Sequence, residues 1–329
     1  MKKLINSTDA VLAESLDGFA ASHADIVSLG EDRKFVRRRV LKPGKVALVS
    51  GGGSGHEPLH AGFVGIGMLD AACPGQVFTS PTPDQMVAAV AAVDTGAGCL
   101  FIVKNYEGDA MNFEMAAEMA ESKILTVTTD DDVAVEASTY STGRRGVAGT
   151  LVVEKIVGAA AEQGRDVAAL QALGKSVNAR TRSMGVALTS CTVPAAGKPT
   201  FELGEGEMEM GVGIHGEPGR RRVKLATADA IAEELLAAIL KDLPPKPGSE
   251  VLLLVNGFGG TPSMELYLMA HAVRRILGSA GVMVARSLTG NYVTSLEMAG
   301  CSLTITALDA EMTALWDAPV HTAALRWQL

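Results

Sequence analysis

The sequence predicts an α/β protein of two α/β domains, each with a mixed or parallel sheet flanked by helices. Short aliphatic runs recur along the chain, and a glycine-bearing or acidic turn follows each run before a helical pattern begins. Aromatic residues make up only 4% of the chain, whereas glycine occurs 36 times. Aliphatic strands would therefore form the core and glycines the loops, an alternation typical of α/β architecture.

Four aliphatic runs are predicted to be buried strands because they are continuous, as in sheets covered on both faces. They are residues 46–50, 99–103, 124–129 and 251–255. Helical patterns follow at 84–93, 147–163, 166–179, 226–240 and 263–277. A boundary after the helix at 166–179 predicts an N-terminal domain over 1–183 and a C-terminal domain over 184–329.

Charge and composition argue against several classes of function. A net charge of −8 disfavours nucleic-acid binding, which needs a clustered basic surface. The sequence has neither an apolar run long enough to span a membrane nor an N-terminal signal peptide, so no membrane partner and a cytoplasmic location are expected. The four cysteines form no CxxC pair, so neither a metal site nor a disulfide framework is expected.

The sharpest chemical signal is the segment GGGSGHEP at 51–58, directly after a predicted strand. Tandem glycines let backbone N–H groups converge on a small polar ligand. The segment lacks the Lys-Ser/Thr of a phosphate-binding P-loop and the third glycine of a dinucleotide fingerprint. Without a basic residue for a triphosphate, it favours a small polyol or ketose bound by backbone amides and His56.

Two further segments carry polar side chains at predicted strand ends. Lys104 and Asp109 follow the strand at 99–103, and both are predicted to lie on one loop facing the crevice at the sheet edge. Asp109 is suited to accept a hydroxyl proton in phosphoryl transfer. Farther along, alternating Met and aliphatic residues predict a half-buried strand over 208–214 that ends at His215. That position also suits a histidine that only completes a turn.

Together these segments resemble the dihydroxyacetone kinase family, specifically its substrate-binding K subunit. The matching stretches occur in one order along almost the whole chain: GGGSGHEP (51–58), AACPGQVFTSPTPDQ (71–85), VKNYEGDAMNFE (103–114), TTDDDVAV (128–135), GRRGVAGT (143–150), CTVPAAGKPTF (191–201), GVGIHGEPG (211–219) and WDAPVHT (316–322). Eight ordered matches make an accidental resemblance improbable.

The resemblance implies a residue set that contacts the substrate: Gly53, Ser54, Gly55, His56, Lys104 and Asp109. It also implies that a neutral imidazole nitrogen of His215 attacks the ketone carbonyl and holds the substrate as a hemiaminal. Glycerol has no carbonyl and would be rejected. Asp109 would act as the base for the attacking hydroxyl, and His56 would assist proton transfer. No departure from the family pattern is visible at these positions.

The resemblance also implies a homodimer and a separate helical L subunit that carries ADP or ATP with Mg, while this chain binds no cofactor or metal itself. The sequence stops at Leu329 without such a nucleotide domain, so the chain alone is expected to bind ketose without turnover. Because the L subunit would be a separate chain, we expect its bound ADP to be phosphorylated again through the phosphoenolpyruvate phosphotransferase system. Direct use of ATP is the alternative.

Three alternatives compete with this interpretation. The same histidine would serve a kinase subunit for a tetrulose such as erythrulose, if the walls around residues 78–80 accept another carbon. A regulatory paralogue that senses a ketone would need to bind the ketone but would need no base for phosphoryl transfer. The presence of Lys104, Asp109 and His56 argues against such a sensor. A nucleotide-dependent oxidoreductase is disfavoured by the broken dinucleotide fingerprint.

Overall fold

The computed structural model describes residues 2–134, 143–217 and 219–329. Within these ranges the chain forms eight α-helices and fifteen β-strands in three sheets. The strands, in chain order, are β1 (Val27–Leu29), β2 (Val36–Arg38), β3 (Ala47–Ser54), β4 (Gly65–Ile66), β5 (Ala71–Val77), β6 (Cys99–Lys104), β7 (Ile124–Thr129), β8 (Thr181–Ala187), β9 (Glu207–Met210), β10 (Arg221–Lys224), β11 (Glu250–Gly257), β12 (Met283–Gly290), β13 (Gly300–Ala307), β14 (Val320–Thr322) and β15 (Arg326–Trp327).

The helices, in the same order, are α1 (Val11–Ser22), α2 (Pro83–Val93), α3 (Glu107–Met119), α4 (Gly149–Glu162), α5 (Val167–Ala179), α6 (Ala228–Asp242), α7 (Ser263–Ser279) and α8 (Ala310–Asp317). The predicted α/β class is therefore confirmed. Of the matching stretches quoted above, Val135 and Pro218 lie outside the described residues.

The first sheet has the strand order β1-β2-β5-β3-β6-β7. Its central strands β5, β3, β6 and β7 pair in parallel, while β1 and β2 add an antiparallel edge. The strands β3 and β6 are buried along their whole lengths, as their continuous aliphatic sequences predict. Since parallel strands end at the same sheet edge, the segments after β3 and β6 meet there.

The second sheet has the order β10-β9-β8-β13-β11-β12, with a parallel pair at β11 and β12 and antiparallel pairing elsewhere. A small third sheet joins β15 and β14 to β4, so the C-terminal strands return to the first half of the chain. The strand β8 already starts at Thr181, and the domain boundary between 183 and 184 stays a prediction.

The helix α4 occupies the centre of the molecule. Every residue from Gly149 to Ala161 is buried, and the helix contacts β3, β6 and β7 of the first sheet as well as β8 and β13 of the second. One hydrophobic cluster joins side chains from both sheets, including Leu48 and Leu254, through α4. The two sheets therefore share a core rather than packing as independent bodies.

Four local predictions need correction. The run at 124–129, predicted to be a buried strand, forms the edge strand β7, in which only Val127 and Thr129 are buried. The strand predicted at 46–50 continues through the tandem glycines to Ser54, because Gly51, Gly52 and Gly53 pair with β5 instead of forming a loop. The strand predicted over 208–214 ends at Met210, since Gly211 has a φ of 78°, which breaks the extended backbone. Asp109 lies in the first turn of α3 rather than on a loop.

Within the described ranges, none of the helices has both the length and the apolar character needed to cross a bilayer. Across the same residues, there is no cluster of three or more His, Cys, Asp or Glu side chains placed to hold a metal ion. All four cysteines are buried as free thiols.

Candidate active site

A cleft of about 560 Å³ opens where the carboxyl ends of β3 and β6 meet the segment that follows β9. Its walls come from both halves of the chain: Gly53, Phe78, Ser80, Tyr106, Glu107, Gly108, Asp109, Thr200, His215, Gly216 and Glu217. Three residues singled out from the sequence, Gly53, Asp109 and His215, therefore lie on one cleft although they are far apart in the chain. The volume suits a small ligand.

The imidazole of His215 is held by the carboxylate of Glu217. The two Glu217 oxygens lie 3.3 Å from His215 Nδ1 and 3.0 Å from the His215 backbone nitrogen, which donates to Oε2. Burial raises the pKa of Glu217, but the hydrogen bond from His215 and the charge of Arg145 outweigh it and lower the pKa to about 2. An ionised carboxylate only accepts, so Nδ1 carries a proton, and in the neutral form of the ring Nε2 keeps its lone pair.

A buried arginine, Arg145, supplies a positive charge close to Glu217. The buried guanidinium of Arg145 lies 2.6 Å from Asp132 Oδ2 and donates to the Gly211 carbonyl at 2.8 Å. Burial opposes the charge of Arg145, but the carboxylates of Asp132 and Glu217 outweigh that effect and raise its pKa. This fixed positive charge keeps Glu217 ionised.

Aromatic rings enclose the His215 imidazole on three sides. Its centroid lies 4.5 Å from the Tyr106 ring, 4.7 Å from the His56 ring and 5.4 Å from the Phe78 ring, each in an edge-to-face arrangement. The His56 ring in turn stacks on Phe78 at 5.0 Å. These contacts restrict the orientation of the imidazole ring.

His56 is a neutral acceptor beside the cleft. Its Nδ1 lies 2.8 Å from the Thr294 carbonyl oxygen, which only accepts, so Nδ1 carries the proton and Nε2 has a free lone pair. Burial, and then the charges of His215 and Lys104, lower the pKa of His56 well below its usual value. The loop bearing His56 is anchored from the second half by the Leu296 N–H, which donates to the Gly55 carbonyl at 2.9 Å.

Asp109 and Lys104 form a buried pair at the cleft floor. Asp109 Oδ2 lies 3.4 Å from Lys104 Nζ, and the lysine side chain is fully buried behind the Gly52 backbone. A Cβ atom at Gly52 would collide with Nζ, so the glycine gives the ammonium room to reach the end of β3. Lys104 thus lies behind Asp109, and Asp109 itself faces the cleft.

Three buried polar atoms next to this cleft have no hydrogen-bond partner among the described residues: His56 Nε2, Asp109 Oδ1 and the Tyr106 hydroxyl. Unpaired buried polar atoms are costly, and they are rare outside functional sites. The arrangement offers two acceptors and one hydroxyl around a nucleophilic imidazole. It matches the hydrogen-bonding pattern of a small polyhydroxylated ketone.

The remaining predicted residues take supporting positions. The Ser54 hydroxyl donates to the Gly75 carbonyl at 2.7 Å, and the Gly55 N–H donates to Glu57 Oε1 at 3.0 Å. Reasoning from the sequence missed Tyr106 and Glu217. Both lie in motifs already singled out, Glu217 only two residues beyond His215, which was the available signal.

Replacing Glu217 with glutamine is expected to weaken ketone binding by about 10- to 100-fold, because the charged acceptor that fixes His215 Nδ1–H is lost. Calorimetric titration of the variant with dihydroxyacetone, alongside a thermal melt, measures this effect. Glu107→Gln, at an exposed position on the same cleft, is the matched control and should bind normally. Unchanged affinity in Glu217→Gln would show that the carboxylate does not orient the nucleophile.

Comparison with known proteins agrees with the site. Residues 17–324 match the model of the Dak1 domain. The chain is 52% identical to the PTS-dependent dihydroxyacetone kinase 1, dihydroxyacetone-binding subunit DhaK, of Listeria innocua, covering 98% of this chain and 100% of that protein. It is 46% identical to the PEP-dependent dihydroxyacetone kinase subunit DhaK of Escherichia coli, covering 99% of both.

Among solved structures, the dihydroxyacetone kinase operon co-activator DhaQ superposes with a TM-score of 0.90 at 34% identity, covering 94% of this chain and 97% of that one. The family match extends over nearly the whole chain and includes every cleft residue named above. The chain therefore belongs to the Dak1 domain family.

Proposed function

We propose that this chain is the dihydroxyacetone-binding subunit of a dihydroxyacetone kinase, a phosphotransferase with an alcohol group as acceptor. The observation that carries the proposal is the cluster of three buried, unpartnered polar atoms around the His215 imidazole. Its two subunit relatives named as dihydroxyacetone-binding, at 52% and 46% identity over essentially their full lengths, support the same substrate.

Ketone capture proceeds on His215. The Nε2 lone pair forms a bond to the carbonyl carbon, the C=O π pair moves to oxygen, and that oxygen takes a proton from solvent to give the hemiaminal hydroxyl. The imidazole ring becomes an imidazolium that keeps its Nδ1 proton, and the negative charge of Glu217, which accepts from Nδ1–H, stabilises it. His56 Nε2, as an acceptor, is suited to relay a proton or hold a substrate hydroxyl during this step.

Phosphoryl transfer then uses the terminal hydroxyl of the captured ketose. Asp109 Oδ1 would accept the hydroxyl proton while the oxygen attacks the terminal phosphorus of the donor, and the bond from that phosphorus to the donor nucleotide would break with its electron pair leaving on the nucleotide. Reopening of the carbon–nitrogen bond to His215 would then release dihydroxyacetone phosphate. Lys104 fixes the other carboxylate oxygen of Asp109 from behind. In this mechanism, Gly53, Ser54 and Gly55 shape the wall beside the substrate.

The phosphoryl donor belongs to a separate L subunit that carries ADP or ATP with Mg, and this chain binds no cofactor of its own. The two relatives whose names specify a PTS- or PEP-dependent kinase favour a donor recharged by the phosphoenolpyruvate phosphotransferase system. A cytoplasmic homodimer that meets this partner at the open side of the cleft completes the proposal.

A second function is favoured by one observation: the co-activator DhaQ shares the fold at a TM-score of 0.90. A ketone-sensing paralogue would use capture alone. The base and its lysine, Asp109 and Lys104, are superfluous for a sensor, and two relatives named as kinase subunits are 52% and 46% identical over nearly their full lengths. We therefore rank the kinase subunit first.

Titration of the purified chain with dihydroxyacetone, erythrulose and glycerol tests the proposal, followed by turnover assays with added L subunits. We expect saturable binding of ketoses but not of glycerol, and turnover only when an L subunit with its donor is present. Stronger capture and faster turnover of erythrulose would instead identify a tetrulose kinase. Ketone binding without turnover in the presence of any cognate L subunit would favour the sensor.

A further inference from the structure

A line of four buried ionisable side chains runs from the cleft into the centre of the molecule. It links Asp109 to Lys104, Lys104 to His60, and His60 to Glu154 on α4. The separations are 3.4 Å from Asp109 Oδ2 to Lys104 Nζ, 3.0 Å from Nζ to His60 Nε2, and 2.6 Å from His60 Nδ1 to Glu154 Oε1. Burying charged groups is costly, so packing alone would favour apolar side chains here.

The donors and acceptors in this line fix the proton on His60. A lysine ammonium only donates, so His60 Nε2 must accept from Lys104 and Nδ1 must carry the ring proton. Nδ1–H then donates to Glu154 Oε1. The Ser50 hydroxyl donates to the Ile102 carbonyl at 2.6 Å, so its oxygen, which lies 3.1 Å from His60 Nδ1, is a second acceptor for Nδ1–H. Burial, and then the charge of Lys104, lower the pKa of His60, which keeps the ring neutral.

The ammonium of Lys104 is thereby saturated. Its three N–H groups point at the Gly51 carbonyl oxygen at 3.3 Å, His60 Nε2 at 3.0 Å and Asp109 Oδ2 at 3.4 Å. The contact to His60 is the shortest of the three, and the Gly52 backbone closes the remaining side. The position of the ammonium relative to Asp109 is therefore set largely by His60.

We infer that His60 and Glu154 are positioning residues for the transfer step: Glu154 Oε1 holds the Nδ1 edge of the His60 ring, His60 places the Lys104 ammonium, and Lys104 occupies Asp109 Oδ2. The inference rests on the proposed kinase function. Its consequence is that Asp109 presents only Oδ1 to the substrate hydroxyl, in one orientation. Carboxylates that orient a histidine from behind act in the same way in metal sites and in catalytic triads.

Glu154 suits this role without adding a second negative charge. Burial raises its pKa to about 8, although the charge of Lys104 opposes this rise. At neutral pH its carboxyl is therefore mostly protonated, while Oε1 still accepts from His60. The positive charge of Lys104 is then balanced by Asp109 alone.

Turnover by Glu154→Leu and His60→Leu, each assembled with an active L subunit, tests the inference. We expect kcat to fall by about 10- to 100-fold in both variants. The affinity for dihydroxyacetone should remain within a few fold of the wild type, because His215 lies on the opposite wall. Glu154→Gln keeps an oxygen acceptor for His60 Nδ1–H and should recover most of the lost rate.

Lys155→Met is the matched control. Lys155 is the next residue of α4 and is also buried, but it donates to the Leu315 carbonyl at 2.8 Å, away from the cleft. This variant should change thermal stability without lowering kcat per folded molecule. An unchanged kcat in the leucine variants, or a Glu154→Gln enzyme as slow as Glu154→Leu, would overturn the inference.

A measurement that needs no turnover separates this inference from the proposed function. The ¹⁵N chemical shifts of the His60 ring in the wild-type chain report which nitrogen is protonated. We expect the Nδ1–H form in the wild type, and in Glu154→Leu a shifted Nδ1 resonance, because Nδ1–H loses its acceptor on Glu154. A wild-type ring protonated at Nε2, or an unchanged Nδ1 shift in Glu154→Leu, would refute the inference, whether or not any L subunit supports activity.

Discussion

Replacing His215 by alanine is expected to abolish measurable capture of dihydroxyacetone, with affinity falling by more than about a hundredfold, or about 2.7 kcal/mol. The variant removes the nitrogen that forms the covalent bond, and only hydrogen bonds to groups such as His56 and Asp109 remain. For so small a ligand these leave little binding energy. Calorimetric titration of wild type and variant with dihydroxyacetone measures the loss directly.

The control is His271→Ala, which removes an exposed histidine on α7. It should bind the ketone as the wild type does. Thermal melts of both variants establish that each is folded. If His215→Ala bound dihydroxyacetone with unchanged affinity, or if the wild type bound glycerol equally well, the hemiaminal would have no place in the mechanism.

Asp109→Asn is expected to lower kcat by about 10²- to 10⁴-fold while leaving ketone affinity nearly intact. The amide matches the carboxylate in shape and sits on the same first turn of α3, but it cannot take a proton from the attacking hydroxyl. Steady-state turnover with a saturating L subunit, combined with a ketone titration, separates the two effects.

Because the Asp109→Asn variant keeps the nucleophile His215, it should still capture dihydroxyacetone. Asn112→Asp, on the same helix with its amide bound to the Pro81 carbonyl at 2.8 Å, offers a control for a change of charge on α3. Near-normal turnover in Asp109→Asn would exclude Asp109 as the base and direct attention to His56.

Local sequence signals were sufficient for most of the architecture. The run at 251–255 forms a buried strand, because continuous aliphatic sequence is stable where both faces of a strand are covered. The run at 124–129 forms the edge strand β7, in which only Val127 and Thr129 are buried. The tandem glycines were the hardest to interpret. Their composition suggests a loop, but the close approach of β5 and of Lys104 keeps them extended.

Sequence motifs singled out His215 and Asp109, and the structure places both on one cleft. Their roles in binding and catalysis stay predictions. The partners of these residues were not predictable, because they come from distant parts of the chain. His60 and Glu154 are 94 positions apart in the sequence. Glu154 is buried in α4, and the sequence pattern of this helix does not predict which distant residue the carboxyl contacts. A charged pair, Glu154 and Lys155, inside an otherwise apolar helix was the one sequence clue to a polar role there.

The burial of α4 between the two sheets has a consequence for how substrate is retained. Enzymes with a hinge hold a ligand by closing two domains around it. Here, such a motion would separate α4 from one of the two sheets and expose the hydrophobic cluster that contains Leu48 and Leu254. The two halves of the chain are thus fused, and the cleft stays accessible to an incoming donor. Under the proposed mechanism, the residence time of the ketose is set by the lifetime of one carbon–nitrogen bond. Covalent attachment then takes the place that domain closure has in kinases with a hinge.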